Sequence, residues 1–187
     1  MTKGNNQLLT ILMITIGFLG ACGEITVENP PTQDEQLSLD LELIEAYLTE
    51  KGYESVDTLD SKVHVVILDE GTGAPISESD QVTMDYVGHF LDGEVFDTSI
   101  DSVAIENDIY DSTKVYQPIR FTYSSNGWTM GKYIKGFQQG TSYALGKINV
   151  GGGAEMVIPS YLGFTTNYAL AGEVVVFRVY PTSVKSQ

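Results

Sequence analysis

Apolar residues fill positions 8–21 almost without break, recur every three or four residues between 37 and 48, and alternate with polar residues over much of the remainder. The middle pattern predicts a helix. Leu37, Leu41, Ile44 and Leu48 fall on one helical face, and Leu39, Leu43 and Tyr47 widen it. Thr32 and Glu35 have the spacing of a capping box, with Asp34 and Glu35 at the positive end of the helix dipole. Lys51 and Gly52 close it as a last-turn cation and a C-cap glycine, after about five turns. Such a helix either packs on its own domain, which is the reading preferred, or serves docking or dimerisation.

The alternating stretches predict strands. Residues 63–68 form a β-branched run ending at a turn of Asp and Gly. Val82, Met84, Tyr86, Gly88 and Phe90 alternate with Thr83, Asp85, Val87 and His89, and Asp92-Gly93 then signals a hairpin into residues 94–97. Residues 154–158 and 174–180 read as two more strands, and only residues 134–144 read as a helix inside this region. Together these predict an α+β domain, in which a curved antiparallel sheet with one wet face wraps over one short helix.

The apolar run at 8–21 is short for a bilayer span and has the length of a signal-peptide core. The single Cys follows it at once in Leu19-Gly20-Ala21-Cys22, which resembles a bacterial lipobox. The resemblance implies a signal peptide over 1–21, lipidation of Cys22 and a tether over 22–33. An acidic amphipathic helix and linker over 34–59 follow, and then a main domain over 60–187. It places the protein in the cell envelope, lipid-anchored on an extracytoplasmic face and sorted to the outer membrane. Removing the leader takes away Lys3 and no acid, so the net charge of −15 becomes −16.

With 10 Lys+Arg against 25 Asp+Glu, the chain has no basic patch for nucleic acid. One Cys excludes an intrachain disulfide, and two distant His leave no metal motif. His64 and His89 read as surface strand residues rather than bases, and no phosphate-binding or dinucleotide motif is present. What stands out is aromatic residues beside one acid in Val95-Phe96-Asp97-Thr98-Ser99. This is material for a binding pocket rather than for covalent chemistry, and no cofactor or metal is implied.

Here the sequence resembles a family. Tyr86-Val87-Gly88-His89-Phe90-Leu91-Asp92-Gly93-Glu94-Val95-Phe96-Asp97-Thr98-Ser99 is similar to the Y-x-G-x-L-x-D-G-x-x-F-D-S-S signature of FKBP-type peptidyl-prolyl isomerases. In the same order, Tyr133-Ile134-Lys135-Gly136-Phe137-Gln138-Gln139-Gly140 resembles their V-I-x-G-W-x-x-G helix, and Ile158-Pro159-Ser160-Tyr161-Leu162-Gly163-Phe164 resembles I-P-x-x-L-A-Y. Lys147-Ile148-Asn149-Val150-Gly151-Gly152 resembles the M-x-x-G-G turn, and Val175-Val176-Phe177-Arg178-Val179 the closing strand. The likeness runs over about residues 63–180, and the lipobox with its acidic helix resembles lipoprotein members of Bacteroidetes-type bacteria.

The resemblance implies an FKBP-like fold with an extra N-terminal helix and binding of proline-containing polypeptides. Tyr86, Phe96, Phe137 and Phe177 would line a proline pocket with Phe137 as its floor, Asp97 would stand at its edge, and the Ile134 N–H would bind a substrate carbonyl. Phe121, Tyr133 and Phe164 would complete the substrate contacts. The physics is consistent. Rotation about an amide meets a barrier of about 18–20 kcal/mol, while the two X-Pro isomers differ by only about 0.5–1 kcal/mol. A dry aromatic pocket that favours the twisted amide lowers that barrier with no covalent step.

Four departures from the family pattern bear on activity. Phe137 replaces the usual Trp. Phe164 stands where a Tyr hydroxyl is usual. The loop at 165–172 is short, and a long link lies between Ser99 and Phe121. Two readings follow: an isomerase assisting folding outside the cytoplasm, or a non-catalytic FKBP-like module that binds proteins or acts as a chaperone in an envelope complex. The oligomeric state is open.

Overall fold

The computed structural model describes residues 30–127, 134–164 and 170–186. Its elements run α1 (Gln33–Lys51), β1 (Asp57–Thr58), β2 (His64–Asp69), β3 (Gln81–His89), β4 (Val95–Thr98), α2 (Asp101–Glu106), β5 (Ile119–Thr122), α3 (Lys135–Leu145), β6 (Gly153–Ile158), a 3₁₀ turn (Ser160–Leu162) and β7 (Val175–Lys185). The leader and residues 22–29, Cys22 among them, lie outside the described residues.

All pairings are antiparallel, in the order β1-β2-β6-β7-β3-β4. β5 shares the outer edge of β3 with β4. Gln81–Met84 of β3 face β5, and Val87–His89 face β4. One edge strand is thus broken in two by residues 99–118, which include α2. The sequence pattern shows neither α2 nor β5, so the expectation of a single helix within the domain is corrected. β7 also runs further than expected. Pro181 sits where the β3–β7 register shifts, so the missing N–H falls at an irregularity and the strand continues to Lys185.

The core lies between the sheet and α3. Phe137, Ala144 and Leu145 of the helix meet Met84, Ala154, Met156, Ile158, Phe177 and Val179. Gly136 permits the close approach: a Cβ there would lie 2.2 Å from Ile158 Cγ2.

The opposite sheet face is wet only in part: α1 covers it over β6 and the start of β7, while Arg120 and Thr122 of β5 stay exposed. Ile44 and Tyr47 pack on Val157, Val174 and Val176, so every residue of β6 is buried. The helix is therefore packed on its own domain, as the preferred reading had it. Its capping box forms, with Glu35 N–H donating to Thr32 Oγ1 at 3.3 Å and Thr32 N–H donating to Glu35 Oε2 at 2.8 Å. The buried face differs from the apolar pattern. It is centred on Asp40, Ile44 and Tyr47, while Leu39 and Leu43 are half exposed.

Polar partners explain the rotation. Asp40 Oδ2 accepts from the Ser160 N–H (2.8 Å) and hydroxyl (2.7 Å), and its Oδ1 accepts from Gln36 Nε2 (2.8 Å). Glu155, fully buried on β6, accepts from Tyr47 Oη (2.9 Å), Tyr53 Oη (2.7 Å) and Arg178 Nε (2.7 Å). A buried carboxylate demands such donors, and the helix supplies one of them. Burial, then Glu155, pushes the Tyr47 hydroxyl well above the usual phenol range and that of Tyr53 up to about 12. Burial opposes charge on Arg178, but Glu155 outweighs it and holds the guanidinium above its ordinary value.

His89 belongs to this face, not to the surface. It is buried, its Nδ1 lies 2.7 Å from the Phe90 carbonyl, and its Nε2 lies 3.9 Å from Glu155 Oε2. Burial lowers its pKa. His64 is half-buried, with Nδ1 3.1 Å from the Lys62 carbonyl.

Candidate active site

Alternation puts Met84, Tyr86 and Gly88 of β3 on the sheet face that meets α3. The register sets Gly88 between Phe177 on β7 and Asp97 on β4. A Cβ at Gly88 would stand 2.8 Å from both the Phe177 and the Phe96 ring. The absent side chain is what lets those rings close over the strand.

They form part of a continuous aromatic wall. Phe177 lies 4.8 Å from Phe137, 5.6 Å from Phe96 and 6.2 Å from Tyr86, measured between ring centroids. Tyr86 meets Phe137 edge-on at 6.0 Å, and Phe164 meets Phe96 edge-on at 5.8 Å. Phe137 is fully buried at the base, whereas Tyr86, Phe96 and Phe164 are only partly covered. Edge-to-face pairs of this kind add about 0.5–1.5 kcal/mol each beyond their burial, so the wall holds its shape without a ligand.

One end of the wall is polar. The Tyr86 hydroxyl donates to Asp97 Oδ2 at 2.8 Å, and the Thr98 N–H donates to Asp97 Oδ1 at 2.9 Å. The Thr-Ser pair after Asp97 fixes its strand. Thr98 Oγ1 donates to the Tyr86 carbonyl at 2.9 Å, Ser99 N–H donates to the same oxygen at 3.1 Å, and Ser99 Oγ accepts from Tyr86 N–H at 3.0 Å.

Tyr86, Phe96, Asp97, Phe137, Phe164 and Phe177 are therefore brought together as the sequence suggests. Ile134 is the N-cap of α3, the end of a helix where backbone N–H groups lack intrahelical partners. Phe121 belongs to the same buried cluster as Phe137 and Phe177. It lies on β5 opposite Val82, buried in the core. Tyr123, the other aromatic of that segment, is buried and donates from Oη to the Ser142 carbonyl at 3.2 Å. Tyr133 and Trp128 lie outside the described residues, as do positions 165–169 of the short loop.

Two site residues escaped the motif reading. Phe90 packs its ring 5.2 Å from Phe96. Lys114, from the inserted segment, donates to Asp97 Oδ1 and, at 3.2 Å, to the Thr98 carbonyl. Both partners of this ion pair are more than a third exposed, so it adds only about 0–1 kcal/mol to stability. No spacing signal marks it, because the insertion has no counterpart in the motif. Among the described residues no group of three or more His, Cys, Asp or Glu is placed to hold a metal ion.

The model of the FKBP-type peptidyl-prolyl cis-trans isomerase family matches residues 73–180, more than half of the chain. The chain belongs to this family. Its FKBP domain thus takes in β3 through most of β7, the aromatic wall and the insertion. A short-type peptidyl-prolyl cis-trans isomerase of Methanocaldococcus jannaschii is 36% identical over 89 residues, covering 48% of this chain and 50% of that protein. The chain spans about half the length of this relative.

Among solved structures, FkpA from Escherichia coli has a TM-score of 0.50 at 21% identity, covering 81% of this chain and 62% of that one. A peptidyl-prolyl cis-trans isomerase from Pseudomonas syringae pv. tomato has a TM-score of 0.50 at 20% identity, covering 84% and 99%. At these identities the likeness is one of fold. α1, β1 and β2 precede the family match and lie outside it.

Proposed function

We propose that this FKBP-type protein is a peptidyl-prolyl cis-trans isomerase acting on proline-containing polypeptides that fold outside the cytoplasm. One observation carries the reading: an aromatic wall floored by Phe137 ends at Asp97, which is held by the Tyr86 hydroxyl. The proline ring fits the apolar wall. The peptide bond before it then lies where water is scarce and a fixed polar group is near. Partial loss of amide resonance on twisting is favoured by that loss of solvation, the Ile134 N–H at the start of α3 donates to a substrate carbonyl, and Asp97 accepts hydrogen bonds at the edge of the wall. No bond is made or broken other than hydrogen bonds.

An isomerisation assay with an X-Pro peptide tests this. Catalysis above background that falls in Phe96→Ala and Asp97→Ala supports it, and a rate equal to background ends it. A second reading has its own motive. Asp97 is already engaged by Tyr86, Thr98 and Lys114, and Phe164 brings no hydroxyl. A non-catalytic binding or chaperone module would suppress aggregation without accelerating isomerisation.

The same proposal sets the domain on a membrane through a lipid on Cys22, with residues 22–33 as tether, in the cell envelope at the outer membrane. The lone Cys directly after an apolar run motivates it. Labelling with a radioactive fatty acid that is lost in Cys22→Ala supports it, and labelling that persists refutes it. The acidic surface gives an anionic membrane no electrostatic hold, so the lipid would have to supply the attachment.

A further inference from the structure

The insertion at 99–118 is an ordered arm. Asp111 organises its turn, with Oδ1 accepting from the Thr113 N–H (2.8 Å) and hydroxyl (2.7 Å) and its carbonyl accepting from the Lys114 N–H at 3.0 Å. Tyr116 Oη accepts from the Asp111 N–H at 2.9 Å, and the Tyr116 ring stacks on Tyr110 at 5.3 Å with planes 13° apart. The Lys114 ammonium lies 5.1 Å from the Tyr116 ring centroid. Every one of these contacts fixes the turn from which Lys114 reaches Asp97.

Lys114 is the one cation of the insertion, beside the carboxylates of Asp101, Glu106, Asp108 and Asp111. Its ammonium has three donors, and hydrogen bonds to Asp97 Oδ1 and the Thr98 carbonyl account for two. It remains more than a third exposed at the polar end of the aromatic wall. The isomerase reading sets the peptide bond before proline near Asp97, and so the preceding residue at this end of the wall.

We infer that Lys114 is a specificity-determining residue, supplied by the insertion, which favours substrates with an acidic side chain immediately before proline. This rests on the isomerase reading. Lys114 offsets the charge of Asp97, which would otherwise repel such a side chain, and offers it a donor. The gain is that of an exposed ion pair, roughly two- to five-fold in kcat/KM, and it fades with salt.

The test compares peptides Ala-X-Pro-Phe with X either Glu or its neutral isostere Gln, using the full-length chain in detergent and NMR exchange as readout. The Glu/Gln ratio of kcat/KM is expected to fall roughly two- to five-fold in Lys114→Met, to survive in Lys114→Arg, and to shrink in wild type at about 0.5 M salt. A ratio identical in wild type and Lys114→Met at low salt overturns the inference while leaving the isomerase reading intact. Absence of catalysis on either peptide overturns both. The ratio is read within each variant, so a general loss of folded protein does not imitate the effect.

Discussion

The Tyr86 hydroxyl donates a 2.8 Å hydrogen bond to Asp97 Oδ2 across two paired strands, eleven residues apart in sequence. It turns the acid at the end of the aromatic wall into a fixed group rather than a swinging one. Tyr86→Phe and Asp97→Asn are each expected to lower kcat/KM for an X-Pro peptide by about ten-fold, the worth of a hydrogen bond to a charged group. The double variant should cost little more than either single one, because both remove the same contact. Strict additivity would show that the two residues act separately.

Gly88 is the second test of the site. Its Cβ position is closed by Phe96 and Phe177, so Gly88→Ala has to push a ring out of the wall. The expected cost is about 1–3 kcal/mol in urea unfolding, as for other overpacked cores. A larger proportional loss in kcat/KM than for core variants of equal stability should accompany it. Unchanged activity would mean that the wall is more plastic than its geometry indicates.

The far side of the sheet makes a different prediction. Arg178→Met leaves the buried Glu155 carboxylate without its guanidinium, and a loss of about 3 kcal/mol is expected. Tyr47→Phe removes one hydrogen bond to the same group and should cost about 1–2 kcal/mol. Urea midpoints at neutral pH check both. Neither side chain belongs to the aromatic wall, so the folded fraction of each variant should isomerise peptides at the wild-type rate.

His89 gives the pH dependence a direction. Burial lowers its pKa in the folded state, so the unfolded chain binds its proton first as pH falls. The stability that neutral His89 contributes is complete above the ordinary histidine pKa of about 6.5 and is lost as pH drops through the window below it. His64, also lowered by burial, adds to the same slope. Between pH 7.5 and 5.5, wild type should lose more unfolding free energy than His89→Asn. An equal loss in both would place the effect elsewhere.

Much of this was legible in the chain. The strand from Gln81 to His89, the hairpin at Asp92-Gly93 and the run Phe96-Asp97 announce themselves because a period of two, a turn dipeptide and an acid among aromatics are local signals. The site residues recovered from sequence share that property or lie in motifs of fixed order. β5, which carries Phe121, escaped because it is too short to show a period, and its place beside β3 is set by pairing with distant residues rather than by neighbours in sequence.

The longer elements, their order and the family resemblance follow from propensities, turn chemistry and motif spacing along one dimension, whereas α2 and β5 leave no such trace. Which face of α1 is buried depends on contacts made in three dimensions. The apolar stripe includes Leu39 and Leu43, yet the helix turns Asp40 and Tyr47 inward, because Ser160 and the buried Glu155 require partners that no local pattern reveals. The same holds for Lys114, seventeen residues from Asp97 in the chain, which meets it only because the edge strand is broken between β4 and β5. Pairing of distant polar groups is a matter of position in space, and position is what the fold supplies.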